Sequence, residues 1–151
     1  YTSLFRSYSF HYFNEARKIA IEMNDSALLG RALNNIGVIH EVKGDYDSAL
    51  KYFLESLEIK RTAGSKHEIA ITLGNLGSVY LAKNDFIKSE KFLNEGLELA
   101  DSIHNLRLVR NFLNFLGTLK VKTGNYQEAY NYNLLADSVD NRRQVEYAEQ
   151  R

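Results

Sequence analysis

The sequence predicts an all-α protein, a right-handed α-solenoid in which about seven helices stack as antiparallel pairs. Glycine recurs every 40 residues, at Gly37, Gly77 and Gly117, and the segments around these glycines superpose without a gap. Proline is absent from all 151 residues, which agrees with a nearly all-helical chain because proline disrupts helix interiors. A fixed period of this length indicates a repeat array, whose units stack because none can bury its apolar face alone.

Each 40-residue unit is predicted to be two helices joined by a tight turn. Apolar residues fall three or four positions apart from Ala27 to Val42 and again from Tyr46 to about Arg61, which gives each helix one apolar stripe. The intervening Gly44-Asp45 is so short that the two helices must lie antiparallel. Small residues recur where the paired helices would cross closely, at Gly37, Gly77 and Gly117 and at Ala49, Ser89 and Ala129.

Polar dipeptides predict where the helices break. Glycine or asparagine suits the left-handed residue that ends a helix, and the residue after it suits the N-cap of the next helix. The dipeptides are Asn24-Asp25, Gly44-Asp45, Gly64-Ser65, Asn84-Asp85 and Gly124-Asn125. Together with the period, they predict breaks near 24–26, 44–45, 64–66, 84–85, 104–106 and 124–125.

The chain is predicted to be one array of a half unit and three complete units. A shift of 40 residues aligns Tyr12 with Tyr52 and Phe13 with Phe53, so the first segment is interpreted as the second helix of a truncated unit. The predicted segments are 1–25 for that half unit, 26–65, 66–105 and 106–140 for the three repeats, and 141–151 for a helical extension or cap. The start at Tyr1, inside a helical pattern, leads us to expect a longer parent protein.

The last predicted helix differs from its counterparts in a way that suits the end of a stack. Asn133 and Asp137 replace the apolar Phe53 and Leu57 of the first repeat, as expected where a helix faces water. Without a glycine or proline after Tyr126, helix is expected to persist almost to the chain end. Terminal helices of this kind could also pair two copies of the chain as a homodimer.

The recurring small and large positions resemble the tetratricopeptide repeat, which has an aromatic residue or Leu, then Leu-Gly, Tyr, Ala, Phe and Ala at set offsets. The three units supply Leu33, Ile36-Gly37, His40, Ala49, Phe53 and Ser56; Leu73, Leu76-Gly77, Tyr80, Ser89, Leu93 and Gly96; and Leu113, Leu116-Gly117, Lys120, Ala129, Asn133 and Ala136. The usual period is about 34 residues, so the chain is similar to the extended subclass found in kinesin light chains and in bacterial peptide-sensing regulators and sensors.

Composition and motifs argue against several other classes of function. Nineteen basic and nineteen acidic residues cancel, so this segment has no overall charge to attract nucleic acid. No apolar run approaches the roughly 20 residues that cross a bilayer, so no membrane insertion is expected. His67-Glu68 begins a zinc-binding HExxH pattern, but Ile71 stands where the second histidine belongs. Without cysteine or a catalytic constellation, we expect no enzyme, metal or cofactor, and the compartment stays undetermined.

Asparagine recurs one turn before each glycine on the first helix of a unit. One interpretation is hydrogen bonding between neighbouring first helices; the other is binding to the backbone of an extended peptide, since an amide both donates and accepts. Asn35 and Asn75 match the asparagine that plays the second role in extended tetratricopeptide families, whereas Phe115 replaces it in the third unit. The predicted lining of a concave groove is Arg31, Asn34, Asn35, Val38, Ile71, Asn75, Ser78, Asn111, Asn114, Phe115 and Lys122.

The repeat pattern therefore favours a scaffold that binds a protein or peptide in the groove of its first helices. The alternative is a sensory or dimerisation segment of a bacterial signalling protein, with the kinase or transcription domain elsewhere. Arg31 and Lys122 are too few basic residues for a clamp that holds a peptide carboxylate.

Overall fold

The computed structural model of the chain describes the backbone of residues 2–63 and 65–149 and the side chains of residues 8–62 and 65–139. Over these ranges it contains seven α-helices and no β-strand: α1 (Thr2–Glu22), α2 (Ser26–Val42), α3 (Tyr46–Ala63), α4 (Lys66–Ala82), α5 (Phe86–Ser102), α6 (Leu106–Lys122) and α7 (Tyr126–Glu149). The predicted all-α class and the number of helices are confirmed.

A left-handed residue ends the helix at each described turn, and an N-cap follows it. The positive φ angles are 53° at Asn24, 77° at Gly44, 59° at Asn84, 52° at His104 and 79° at Gly124. After the first of them, Asp25 Oδ1 accepts a 2.8 Å hydrogen bond from the backbone N–H of Leu28, which satisfies one orphan donor of α2. The sequence did not indicate His104 as a left-handed residue, and the predicted Gly64 lies outside the described residues.

The helices form two layers of antiparallel pairs. The first helices α2, α4 and α6 pack against their own second helices α3, α5 and α7, and α4 also contacts the first helices α2 and α6 on either side of it. Helix α1 packs on α2, as the second helices α3 and α5 pack on the first helices α4 and α6 that follow them. Between the second helices, Arg61 on α3 forms a 2.5 Å ion pair with Glu95 on α5.

Glycine at two first-helix positions allows the paired helices to approach. A Cβ atom on Gly37 would lie 2.6 Å from Cε1 of Phe53, and one on Gly77 would overlap the side chain of Leu93. Phe53 and Leu93 are both completely buried, so neither can move away without disturbing the core. Glycine therefore recurs every 40 residues because each unit contains one such close crossing of its two helices.

The residue three positions after each of these glycines faces the second helix of its own unit. His40 stacks on Tyr52 with ring centroids 5.3 Å apart, and Tyr80 stacks on Phe92 at 5.6 Å, which confirms a packing role for His40. The equivalent Lys120 instead forms ion pairs of 2.7 Å with Glu90 and 2.8 Å with Glu128. Hydrogen bonds with Glu128 and Glu90 raise the pKa of Lys120. An ionic junction thus replaces an aromatic one.

Helix α7 continues without a break through Asp140 and Asn141 to Glu149, as expected. Asn133 and Asp137 are exposed, whereas the equivalent Phe53 and Leu57 are buried. The polar substitutions therefore lie where no further helix of the described chain packs. The side chains from Asp140 onward lie outside the described residues.

Candidate functional site

The predicted groove residues lie on the three first helices, which are neighbours in one layer, and we call this surface the first-helix face. Arg31, Asn111, Asn114 and Lys122 are exposed on it, and Asn35, Val38, Ile71, Asn75, Ser78 and Phe115 are half-buried. Ile71 and Phe115 pack against the core cluster shared by the second and third units, and Val38 packs against the cluster of the first and second. The face therefore combines polar side chains with partly covered apolar ones.

Asn34 differs from the rest because it is buried between α2 and α4. Only 7% of its surface is exposed, and its Oδ1 accepts hydrogen bonds from Thr72 Oγ1 at 3.0 Å and from Asn75 Nδ2 at 3.1 Å. Asn34 thus has the interhelical role that was one of the two interpretations of the recurring asparagines.

Three other asparagines on the face keep their amides unpaired. The side chains of Asn35, Asn111 and Asn114 make no hydrogen bond with any other described residue. Asn35 is half-buried, whereas Asn111 and Asn114 are exposed. Each of these amides can donate and accept hydrogen bonds at once, which is what a peptide backbone requires.

Polar pairs that the sequence did not predict connect neighbouring first helices. Ser78 Oγ donates a 2.7 Å hydrogen bond to Glu41 Oε1, and Arg31 lies 3.9 Å from Glu68. Both pairs join residues 37 positions apart in the sequence, which is three short of the period. A search of the sequence for complementary polar or charged residues 37 positions apart could have predicted these contacts.

A buried lysine lies beneath this row of contacts. Lys60 on α3 has a side chain that is only 3% exposed, and its Nζ donates a 3.0 Å hydrogen bond to Thr72 Oγ1 and lies 3.9 Å from Glu68. Burial lowers the pKa of Lys60, Glu68 opposes this by attraction and Arg31 adds to it by repulsion. Lys60, Thr72, Asn34 and Asn75 thus form a polar network that links three helices.

Helix α6 gives its part of the face a cationic and amide character. It has no acidic residue between Leu106 and Lys122. Asn111, Asn114, Thr118 and Lys122 lie three or four positions apart along it and are exposed. This stripe is one side of a helix, so these side chains can contact one extended ligand.

Two other kinds of site are absent from the described part of the chain. It contains no group of three or more histidine, aspartate or glutamate side chains placed to hold a metal ion. None of its helices is both long and apolar enough to span a membrane. A shallow depression lined by Glu128, Asn131, Tyr132 and Leu135 lies on α7, outside the first-helix face.

Solved structures with the same helical architecture show the fold. The chain aligns with BtubC (BKLC) from P. vanneervenii with a TM-score of 0.80 at 19% identity, covering 89% of this chain and 56% of that one. It aligns with the apo form of RapI with a TM-score of 0.64 at 16% identity, covering 97% of this chain and 65% of that one. The chain thus spans less than two thirds of either structure. No curated protein sequence is detectably similar to it.

A family match covers most of the first two complete repeats. Residues 28–102 match the family described as Tetratricopeptide repeat, and the matched region contains the glycine crossings at Gly37 and Gly77. The family is a protein-interaction fold that is generally non-catalytic. The gapless 40-residue period, the paired antiparallel helices and this match identify the chain as a member of the tetratricopeptide repeat family.

Proposed function

We propose that the chain is a non-enzymatic scaffold that binds an extended peptide or partner segment in a groove lined by its first helices. The observation that carries the proposal is the set of unpaired amides of Asn35, Asn111 and Asn114 on the first-helix face. These amides would form hydrogen bonds with the ligand backbone and would therefore not discriminate between ligand side chains.

The apolar residues between the amides would add affinity. Val38, Ile71 and Phe115 are half-buried, so each has an exposed part that a ligand side chain can cover. Covering that surface is favourable by about 25 cal/mol per Å². A peptide with apolar side chains at intervals would therefore bind better than a wholly polar one.

The charges of the face favour a ligand that is not strongly acidic along its whole length. Arg31 lies close to Glu68, and Glu41 is held by Ser78, so the α2–α4 half of the face has acidic and basic groups side by side. Lys122 lies on α6, at the other end of the layer. Any preference for a ligand carboxylate would therefore be confined to the α6 side.

A display library of short random peptides, selected against the whole chain, tests the proposal. The affinity of each selected peptide is then measured by calorimetry for the parent, Asn35→Ala, Asn111→Ala and the control Asn94→Ala. Asn94 is an exposed asparagine on the second helix α5. Each groove substitution should weaken binding about three- to tenfold through the loss of hydrogen bonds, and the control should not.

Two results would contradict the proposal that a peptide binds in the groove. Selected peptides could bind both groove variants as tightly as the parent, or the library could yield no peptide that binds. Equal losses in Asn94→Ala and Asn35→Ala would place the ligand elsewhere and would also count against the proposal.

A further inference from the structure

The two junctions between complete units differ in chemistry at equivalent positions. The first junction joins α2 and α3 to α4, and the second joins α4 and α5 to α6. Five positions of the first junction are mostly polar, whereas their counterparts 40 residues later are small or aromatic. The first set is Gly30, Asn34, Ser56, Lys60 and Thr72, and the second is Ala70, Gly74, Gly96, Ala100 and Phe112. Different forces therefore hold the two junctions together.

Three polar bridges connect α2 to α4 across the first junction. The bridged residues are Arg31 with Glu68, Asn34 with Thr72 and Asn75, and Glu41 with Ser78. Apart from the buried Asn34 and Thr72, these residues are exposed or half-buried, so each has surface in contact with solvent. Water can replace either partner of such a bridge, so the net cost of opening it is small.

Lys60 gives the first junction a charge that is incompletely paired. Its side chain is only 3% exposed, and among the described residues its ammonium group makes one hydrogen bond, which goes to Thr72. The carboxylate of Glu68 lies 3.9 Å away, which is too far for a hydrogen bond. Because an ammonium group has three donors, movement of α4 away from α2 would let water reach the remaining ones.

Phe112 closes the second junction by apolar packing. Its side chain is 2% exposed. A Cβ atom on Gly96 would overlap its ring, and one on Gly74 would lie 3.5 Å from it, so the ring fills the space beside these two glycines. Moving α6 away from α4 would expose the ring to water and leave a cavity, and both changes are costly.

An apolar contact between α3 and α4 provides a pivot at the first junction. Phe53 and Leu57 on α3 belong to one buried cluster with Leu73 and Leu76 on α4, and none of the four is more than 2% exposed. This cluster holds α3 and α4 together when the polar bridges between α2 and α4 open. Rotation about the cluster changes the distance between α2 and α4 while the apolar side chains stay buried.

We infer that the first junction is a hinge of the array. Helices α4 to α7 move as one body relative to α1, α2 and α3, by rotation about the α3–α4 cluster, because Phe112 keeps the second junction closed. This motion sets the separation of α2 and α4, and with it the width of the first-helix face between them. The hinge belongs to the array itself and requires no ligand on that face.

Pulsed electron–electron double resonance on the whole chain, without ligand, measures this motion. Val42→Cys and Lys122→Cys place spin labels at the exposed C-terminal ends of α2 and α6. No other site is labelled, because the chain has no cysteine. Neighbouring packed helices lie about 8–10 Å apart, so the two labels should be about 20 Å apart. We expect this labelled parent to show a broad distribution of distances.

Copying the second junction into the first should remove that breadth. The exchange variant carries Gly30→Ala, Asn34→Gly, Ser56→Gly, Lys60→Ala and Thr72→Phe. Its distance distribution should narrow to a single peak, because an aromatic ring then fills the first junction as Phe112 fills the second. The control His67→Ala removes the 3.2 Å contact between His67 and Asn105 at the second junction and should leave the distribution of the labelled parent unchanged.

The double variant Asn34→Ala/Ser78→Ala tests the hinge in the opposite direction. It removes two of the three polar bridges and leaves the α3–α4 cluster intact. The distribution should therefore extend to longer distances than in the labelled parent. Circular dichroism checks that each variant is folded, and the double variant decides the question if the exchange variant is not.

Several outcomes would overturn the hinge. They are a narrow distribution in the labelled parent, an unchanged breadth in a folded exchange variant, and no extension to longer distances in the double variant. A longer and broader distribution in His67→Ala would place the motion at the second junction instead. Because these measurements contain no peptide, their outcome is independent of the peptide binding proposed above.

Discussion

The side-chain amide of Asn75 donates a 3.1 Å hydrogen bond to Oδ1 of Asn34, and this bond joins the first helices of two neighbouring units. Asn35 follows Asn34 in the sequence but makes no side-chain hydrogen bond with any described residue. Successive helix residues point about 100° apart, so the Asn34 amide meets the next helix, whereas Asn35 points in a different direction on α2. Adjacent and chemically identical residues thus have different surroundings.

Alanine at these two positions should separate stability from binding. Asn34→Ala removes the acceptor of both Thr72 and Asn75, so we expect a loss of about 1–2 kcal/mol in the free energy of unfolding. Asn35→Ala removes no hydrogen bond within the described chain and should change it by less than about 0.5 kcal/mol. Urea unfolding of both variants measures the difference. Equal losses would mean that Asn34 contributes no more to the stack than its neighbour.

Two glycines on α4 make a matched pair for testing the helix crossing. A Cβ atom on Gly77 would overlap Leu93, whereas one on Gly74 would lie at an ordinary 3.5 Å from Phe112. Gly77→Ala should therefore destabilise the chain by about 1–3 kcal/mol through overpacking. Gly74→Ala should stabilise it by up to about 1 kcal/mol, because alanine is the better helix former. Thermal melts of both variants measure these changes. A Gly77→Ala variant that is more stable than the parent would show that α4 and α5 can move apart at little cost.

The period and the turn residues were enough to predict the fold. Gly37 and Gly77 repeat because each admits one large side chain, so the sequence pattern and the packing have the same cause. His104 is the exception among the turns: it has a φ of 52°, and histidine, although more common at positive φ than most residues, is a weaker signal for a helix end than glycine or asparagine. The packing of α5 and α6 requires a left-handed residue between them, and His104 adopts that conformation.

The site was harder to predict, because its geometry depends on how far each unit turns relative to the last. That rotation decides whether Asn34 or Asn35 meets α4, and no local pattern encodes it. Lys60 illustrates the same difficulty. It has Ala100 as its equivalent in the next unit, and only the structure shows that its stem crosses Gly30 and its ammonium reaches Thr72.

The stability of the chain should depend on Lys60 in alkaline solution. Because burial lowers the pKa of Lys60 in the folded chain, the unfolded chain binds more protons between that lowered value and the ordinary value of about 10.4. The free energy of unfolding due to this residue should therefore rise with pH across that interval. Lys60→Met keeps the apolar stem, leaves Glu68 near Arg31 and should lack the rise.

Urea unfolding at a series of pH values between about 7 and 10 compares the parent with Lys60→Met and with the control Lys51→Met, an exposed lysine on the same helix. At neutral pH, Lys60→Met should be more stable than the parent by up to about 1 kcal/mol, since it no longer buries a charge. A destabilised Lys60→Met, with the pH dependence of the parent, would show that the bond to Thr72 outweighs the cost of burial.

The turn between α5 and α6 should be improved by glycine. His104 has a left-handed backbone, a conformation that costs a non-glycine residue roughly 1–3 kcal/mol. Glycine removes this cost, but its greater flexibility in the unfolded chain lowers the free energy of unfolding by about 0.5–1 kcal/mol. His104→Gly should therefore stabilise the chain by about 1 kcal/mol. Gly124 has a φ of 79°, and a Cβ atom added to it would meet nothing within 4 Å. The reciprocal Gly124→His should therefore destabilise the chain by a similar amount through the backbone alone. The melting temperatures of the two variants should shift in opposite directions. Shifts of the same sign would contradict the backbone explanation and would indicate that side-chain contacts determine the change in stability.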